Sequence, residues 1–147
     1  MQELRELYQE TILEHSRKPR NFGELPCASH KAEGYNPLCG DHYTVFVNVK
    51  DGAIDDIRFN GAGCAISKAS ASMMTQSVKG KTESEAEEIF SRFHDLVTGH
   101  QNGTDKLGKL AVFAGVSEFP LRVKCATLAW HAMRAALRGD QQAVSTE

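Results

Sequence analysis

Between residues 42 and 60 the chain carries its strongest structural constraint. Tyr43, Val45, Val47 and Val49 alternate with Thr44, Phe46 and Asn48, and Asp51-Gly52 follows before Ile54, Ile57 and Phe59. A period of two places one set of side chains on a buried face and the other toward solvent. Asp-Gly between two such runs is a hairpin signal, because glycine accepts the positive φ of a primed turn. An antiparallel hairpin closing at Asn60-Gly61 is therefore predicted. It needs other elements to cover its apolar face.

The flanking segments read as those elements. Leu4, Leu7, Tyr8, Thr11 and Ile12 recur at helical spacing, and the helix should end before Pro19, since the residue preceding a proline is pushed out of the helical region. Pro19 to Pro26 reads as loop, and residues 29–36 as an edge strand. From Ser67 to about Val78 a second helix is rich in small residues, which permit close packing. Thr82-Glu83-Ser84-Glu85 is a capping box opening a third helix, striped by Ala86, Ile89, Phe90, Phe93 and Val97 and ended by Gly99. His100 to Lys106 reads as polar loop. Leu107, Leu110, Ala111 and Ala114 indicate a short helix. A last helix from Pro120 carries Cys125, Leu128, Ala129, Ala132 and Ala136 on one face and stops at Gly139. The expected architecture is a single α+β domain over residues 1–140, a small antiparallel sheet packed by helices, with a disordered tail over 141–147.

Bulk properties narrow the function classes. The chain has 147 residues, 41% hydrophobic and 24% charged, with a formal net charge of -2. The charge argues against a nucleic-acid partner, whose footprint is a basic surplus. No apolar run approaches the ~18 residues that span a bilayer, so no membrane partner is expected. The acidic, amphipathic start at Met1-Gln2-Glu3 does not read as a secretory signal, and a cytoplasmic location is expected.

In a reducing compartment the four cysteines read as metal ligands or reactive thiols rather than disulfides. Cys39 and Asp41 lie in a turn entering the first hairpin strand, Cys64 in a glycine-rich turn leaving the second, and Cys125 near the start of the last helix. The hairpin brings its two ends together, and a helix across that end could supply the third thiol. Three thiolates and a carboxylate suit tetrahedral zinc, or iron in a cluster. The carboxylate would be the more displaceable ligand. A helix start beside Cys64 favours its thiolate. Spacing alone leaves a second reading open, in which the thiols are small buried hydrophobes.

The blocks Asn36-Pro37-Leu38-Cys39-Gly40-Asp41, Gly61-Ala62-Gly63-Cys64-Ala65-Ile66-Ser67 with Ala69-Ser70-Ala71-Ser72-Met73-Met74, and Val123-Lys124-Cys125-Ala126-Thr127-Leu128-Ala129-Trp130 resemble the IscU/NifU N-terminal family. Within it the chain is most similar to the SufU branch. The resemblance runs over nearly the whole chain. It implies an IscU-like α+β sandwich, a role in iron–sulfur cluster assembly, and a metal site of Cys39, Asp41, Cys64 and Cys125. Lys124 stands where IscU carries a histidine. Phe119 to Lys124 departs from the chaperone-recognition motif of IscU, and the span between Cys64 and Cys125 is longer, as in SufU.

The SufU likeness implies bound zinc and a sulfurtransferase-type role, with Cys39 receiving persulfide sulfur from a SufS-type cysteine desulfurase and passing it to a downstream cluster scaffold. The alternative is that the same residues hold a nascent [2Fe–2S] cluster. Arg122 and Lys124 are candidates to lie beside the thiolates. Cys27 is read as a bystander, His42 as a strand residue, His131 as solvent-facing, and Met73 and Met74 as core fillers.

Overall fold

A computed structural model describes residues 2–100, 107–139 and 144–145 of the chain. Helix α1 (Gln2–Arg17) leads through a loop to strands β1 (His30–Asn36), β2 (Asp41–Lys50) and β3 (Ala53–Ala62). Helices α2 (Ala65–Val78) and α3 (Glu83–Val97), a 3₁₀ helix (Gly108–Glu118) and α4 (Pro120–Leu137) follow, and Val144–Ser145 form a two-residue strand, β4. The sheet order is β3-β2-β1-β4. The first three strands are antiparallel, and β4 runs parallel to Gly34 and Tyr35 of β1. Of the expected polar loop from His100 to Lys106, residues 101–106 fall outside the described residues. So does most of the expected tail, of which only Val144 and Ser145 are described.

The hairpin forms as its pattern dictates. Asp51 and Gly52 take φ of 54° and 78°, the positive values of a type I′ turn. Tyr43, Val45, Val47, Ile54, Ile57 and Phe59 are fully buried on one face, while Thr44, Phe46 and Asn48 are half-buried on the other. A register shift between Asn48 and Val49 moves the end of β2 by one position. Helix α4 lies across β1 and β2, and α2 packs against α1, α4 and β3. The result is two layers, a sheet covered on one face by helices.

The small residues of α2 do more than allow close packing. The Ser70 hydroxyl donates to the Ala126 carbonyl at 2.5 Å and accepts from Trp130 Nε1 at 3.0 Å. An unpaired buried donor costs about 1–3 kcal/mol, so this serine holds α2 to α4 by more than shape. Ser72 receives the Arg20 amide at 2.8 Å and lies 2.7 Å from His15 Nδ1, which ties the end of α1 to α2. Trp130 stacks on Phe93 at 4.6 Å and on Phe90 at 5.8 Å. Met73 and Met74 are buried in the core. The Thr82–Glu85 capping box closes reciprocally, at 3.0 and 3.1 Å.

Two expectations are corrected. The short helix expected after Leu107 forms, as a 3₁₀ helix, but Ala111 and Ala114 of its expected stripe are exposed, and it buries Phe113 and Val116 along with Leu110. An every-third-residue stripe suits three residues per turn, whereas the α-type stripe through Ala111 and Ala114 does not. His131 is not solvent-facing. It is half-buried, edge-on to Phe90 at 5.1 Å, with Arg134 donating to its Nδ1 at 3.4 Å. Helix α4 is covered on so many sides that a position off its main stripe still meets α3.

Candidate metal centre

The register of the sheet assembles the site. Asn36 pairs with Asp41 across the β1–β2 turn, and His42 pairs with Ala62, so Asp41 and the Gly63-Cys64 turn lie side by side. The turn is closed by the Asn36 carbonyl, which accepts from the amides of Cys39 at 3.3 Å and Gly40 at 2.8 Å. Helix α4 then delivers Cys125 from the other layer. Cys39, Asp41 and Cys125 each offer a ligand atom within 4.8 Å of the others. The Cys39 and Cys125 sulfurs are 3.4 Å apart.

Cys64 caps α2, its sulfur accepting from the Ser67 amide at 3.4 Å. Its own amide donates to Asp41 Oδ1 at 3.0 Å. The remaining carboxylate oxygen, Asp41 Oδ2, is buried without a hydrogen-bond partner, alone in this among the side-chain nitrogens and oxygens of the described residues. A buried carboxylate oxygen left unpaired is costly. With the Cys39 and Cys125 sulfurs within 4.8 Å, the carboxylate belongs to a donor set that suits a soft-metal site, and a bound cation would satisfy it. Cys64, the fourth expected ligand, lies outside that group and reaches it through its amide bond to Asp41.

The thiols are electrostatically unequal. A hydrogen bond from Cys125 holds Cys64 well below its ordinary 9.0, at about 5; burial opposes this and the Ser67 amide assists. The same pairing with Cys64, together with burial and the neighbouring Asp41 and Cys39, pushes Cys125 up. The helix start noted in the sequence contributes to the Cys64 thiolate, but its partner thiol contributes more. Exposure differs too: Cys39 is exposed, Cys64 intermediate and Cys125 buried.

A polar cradle surrounds these groups. Tyr43 Oη lies 2.9 Å from Ser67 Oγ, and burial raises the phenol above its ordinary 10.0. A Cβ added at Gly63 would sit 2.5 to 2.6 Å from Ser67 Oγ, Asp41 Oδ1 and Tyr43 Oη, so only glycine fits where the three converge. Tyr43, Ser67 and the side chain of Asn36 were not identified from the sequence as parts of the site. Their alternating or small-residue context reads as ordinary strand and helix.

Other expected positions are spread out. Cys27 is exposed in the loop before β1. His42 projects to the exposed face, 3.9 Å from Glu33. Arg122 is exposed and Lys124 half-buried at the start of α4. Among the described residues neither makes a hydrogen bond or ion pair with the four site residues. No helix of the described residues is long and apolar enough to cross a membrane.

Fold and cluster together define a small α+β protein with thiols and a carboxylate gathered at one end of its sheet. The chain belongs to the NifU-like N-terminal domain family, whose model matches residues 7–126, and so to the iron–sulfur cluster assembly family. It is 39% identical to the iron–sulfur cluster assembly scaffold protein IscU of Streptococcus pyogenes serotype M1, over 97% of this chain and 90% of that one. It is 41% identical to the zinc-dependent sulfurtransferase SufU of Bacillus subtilis (strain 168), over 86% of each. A solved structure of an iron–sulfur cluster assembly scaffold protein for the SUF system from Fervidobacterium islandicum AW-1 superposes with a TM-score of 0.85 at 34% identity, over 90% of this chain and 97% of that one.

Proposed function

We propose that this protein accepts sulfur on Cys39 from the persulfide of a cysteine desulfurase and passes it to a downstream cluster scaffold, with zinc as its resident metal. The observation that carries this reading is the pairing of an exposed thiol with a buried one: Cys39 is open to a partner, and Cys125, 3.4 Å away, is not. Cys39, Asp41, Cys64 and Cys125 would hold the metal, which when bound stabilises thiolate at neutral pH. Asp41, the single oxygen donor, is the ligand most readily displaced. Likeness to a zinc-dependent sulfurtransferase supports the choice of metal and reaction.

The Cys39 thiolate attacks the outer sulfur of the desulfurase persulfide. A new S–S bond forms on Cys39, the old S–S bond breaks, and the desulfurase cysteine leaves as thiolate. A second exchange of the same kind passes the outer sulfur to an acceptor thiolate and regenerates Cys39, so no external oxidant or reductant is consumed. Leu38, Phe119 and Leu121, each 58% exposed, offer apolar surface beside Cys39 and at the start of α4 on which such a partner could seat. Arg122 and Lys124 add positive charge for an anionic persulfide.

The second reading is a scaffold that holds a [2Fe–2S] cluster on the same residues, favoured by likeness to the Streptococcus pyogenes scaffold. Protein purified without air separates the two. Colourless protein with one zinc per chain supports transfer; brown protein with iron and labile sulfide supports the scaffold.

A further inference from the structure

Asn36 is fully buried and has two side-chain contacts that point in different directions. Its Oδ1 accepts from the Leu38 amide at 3.3 Å, an Asx turn within the segment that carries Cys39. Its Nδ2 donates to Cys125 Sγ at 3.7 Å. The first contact fixes the second: with the oxygen committed to the Leu38 amide, the NH₂ group must face the sulfur. Through its backbone carbonyl the same residue also holds the amides of Cys39 and Gly40. One residue thus grips the turn bearing the exposed thiol and touches the buried thiol from the opposite layer.

We infer that Asn36 is a positioning residue for the metal centre, its side-chain N–H fixing the Cys125 sulfur while its carbonyls fix the Cys39 turn. The inference rests on the metal-site reading above. An N–H aimed at a thiolate disperses its charge and sets the direction of its lone pairs, as outer hydrogen bonds do for metal ligands generally. It also makes the separation between the two sulfurs a property of one rigid side chain rather than of two independent segments.

Asn36→Asp isolates this role. Aspartate is as good an Asx-turn acceptor as asparagine, so a merely structural Asn36 tolerates the change as far as the metal centre is concerned, at a cost in stability for the second buried oxygen. A positioning Asn36 does not, because an oxygen replaces the donor facing sulfur. The expected result is metal-free protein that folds but melts below the parent, since a buried carboxylate oxygen is left unpaired, zinc affinity lower by about 10- to 100-fold in chelator competition, and a shifted sulfur-to-metal charge-transfer band after cobalt(II) loading. Parental affinity and an unshifted band in Asn36→Asp overturn the inference. Should the variant not fold, the parent protein decides: loaded with cadmium-113, it should show cadmium coupling on the Asn36 side-chain amide protons, and absence of that coupling overturns the inference. Failure of the parent to bind any of these metals would instead refute the metal-site reading.

Discussion

The Cys64 amide donates to Asp41 Oδ1 at 3.0 Å, while the other oxygen of that carboxylate is buried with no hydrogen-bond partner. One oxygen is spent on the fold, and the second is left buried and unsatisfied. That division of labour gives Asp41→Asn and Asp41→Ala different outcomes. Asparagine keeps the bond to the Cys64 amide through its carbonyl but presents NH₂ in place of Oδ2, so the metal-free fold should melt as the parent does. Alanine loses both and should melt lower. Both should lose metal affinity by at least about tenfold, since a direct ligand matters no less than an outer one. Chelator competition and thermal melting measure the two effects, and parental metal affinity in both variants would exclude Asp41 as a ligand.

Cys39 is the expected site of persulfide. Incubation with a cysteine desulfurase and free cysteine, followed by peptide mass spectrometry, should place the added sulfur on Cys39. Cys39→Ser should abolish stimulation of the desulfurase, and Cys27→Ser, altered in an exposed loop away from the cluster, should leave it near normal. Sulfur found solely on Cys64 or Cys125 would move the nucleophile. Iron and sulfide accumulating with no persulfide on any cysteine would leave the scaffold reading.

Gly63→Ala tests the cradle. The new methyl meets Asp41 Oδ1, Ser67 Oγ and Tyr43 Oη at 2.5 to 2.6 Å, and none is the free end of a long side chain. Overpacking of this kind costs about 1–3 kcal/mol, so the melting temperature should fall by several degrees. Metal affinity should fall with it because the Asp41 carboxylate is pushed. Unchanged melting and metal titration curves would show that the three polar groups can part without loss.

His131 gives the fold a dependence on acid pH that is independent of the metal cluster. Burial, with the charges of Arg134 and His94 adding to it, lowers its pKa from 6.5 to about 4. Glu87 and Asp95 of α3 line the same cleft. The unfolded chain therefore takes up the proton first. The contribution of the neutral ring is complete above about pH 6.5 and is lost as the pH falls toward 4. Replacement by glutamine should reduce the drop in melting temperature between about pH 7 and pH 4.5 relative to the parent. An equal drop in both proteins would assign that sensitivity to other groups.

Much of this protein is written in short-range patterns. The alternation from Tyr43 to Val49 with Asp51-Gly52 determined the hairpin, Thr82 and Glu85 the start of α3, and Pro19 and Pro120 the limits of α1 and α4, because each depends on neighbours within a few residues. The likeness of the cysteine-bearing blocks to a known family pointed to the four residues, although spacing alone left core thiols as an equal reading. Tertiary structure decided what no local pattern carries. The 3.4 Å between Cys39 and Cys125 exists because α4 crosses β1 and β2, and the exposure of one thiol and burial of the other follow from the same packing. The buried state of His131, the three-residue stripe of the 3₁₀ helix, and the roles of Asn36, Ser67 and Tyr43 were likewise set by what each side chain meets across the fold. A residue's type and spacing specify which interactions it can make; its distant neighbours, brought close by burial of the common core, specify which ones it does make.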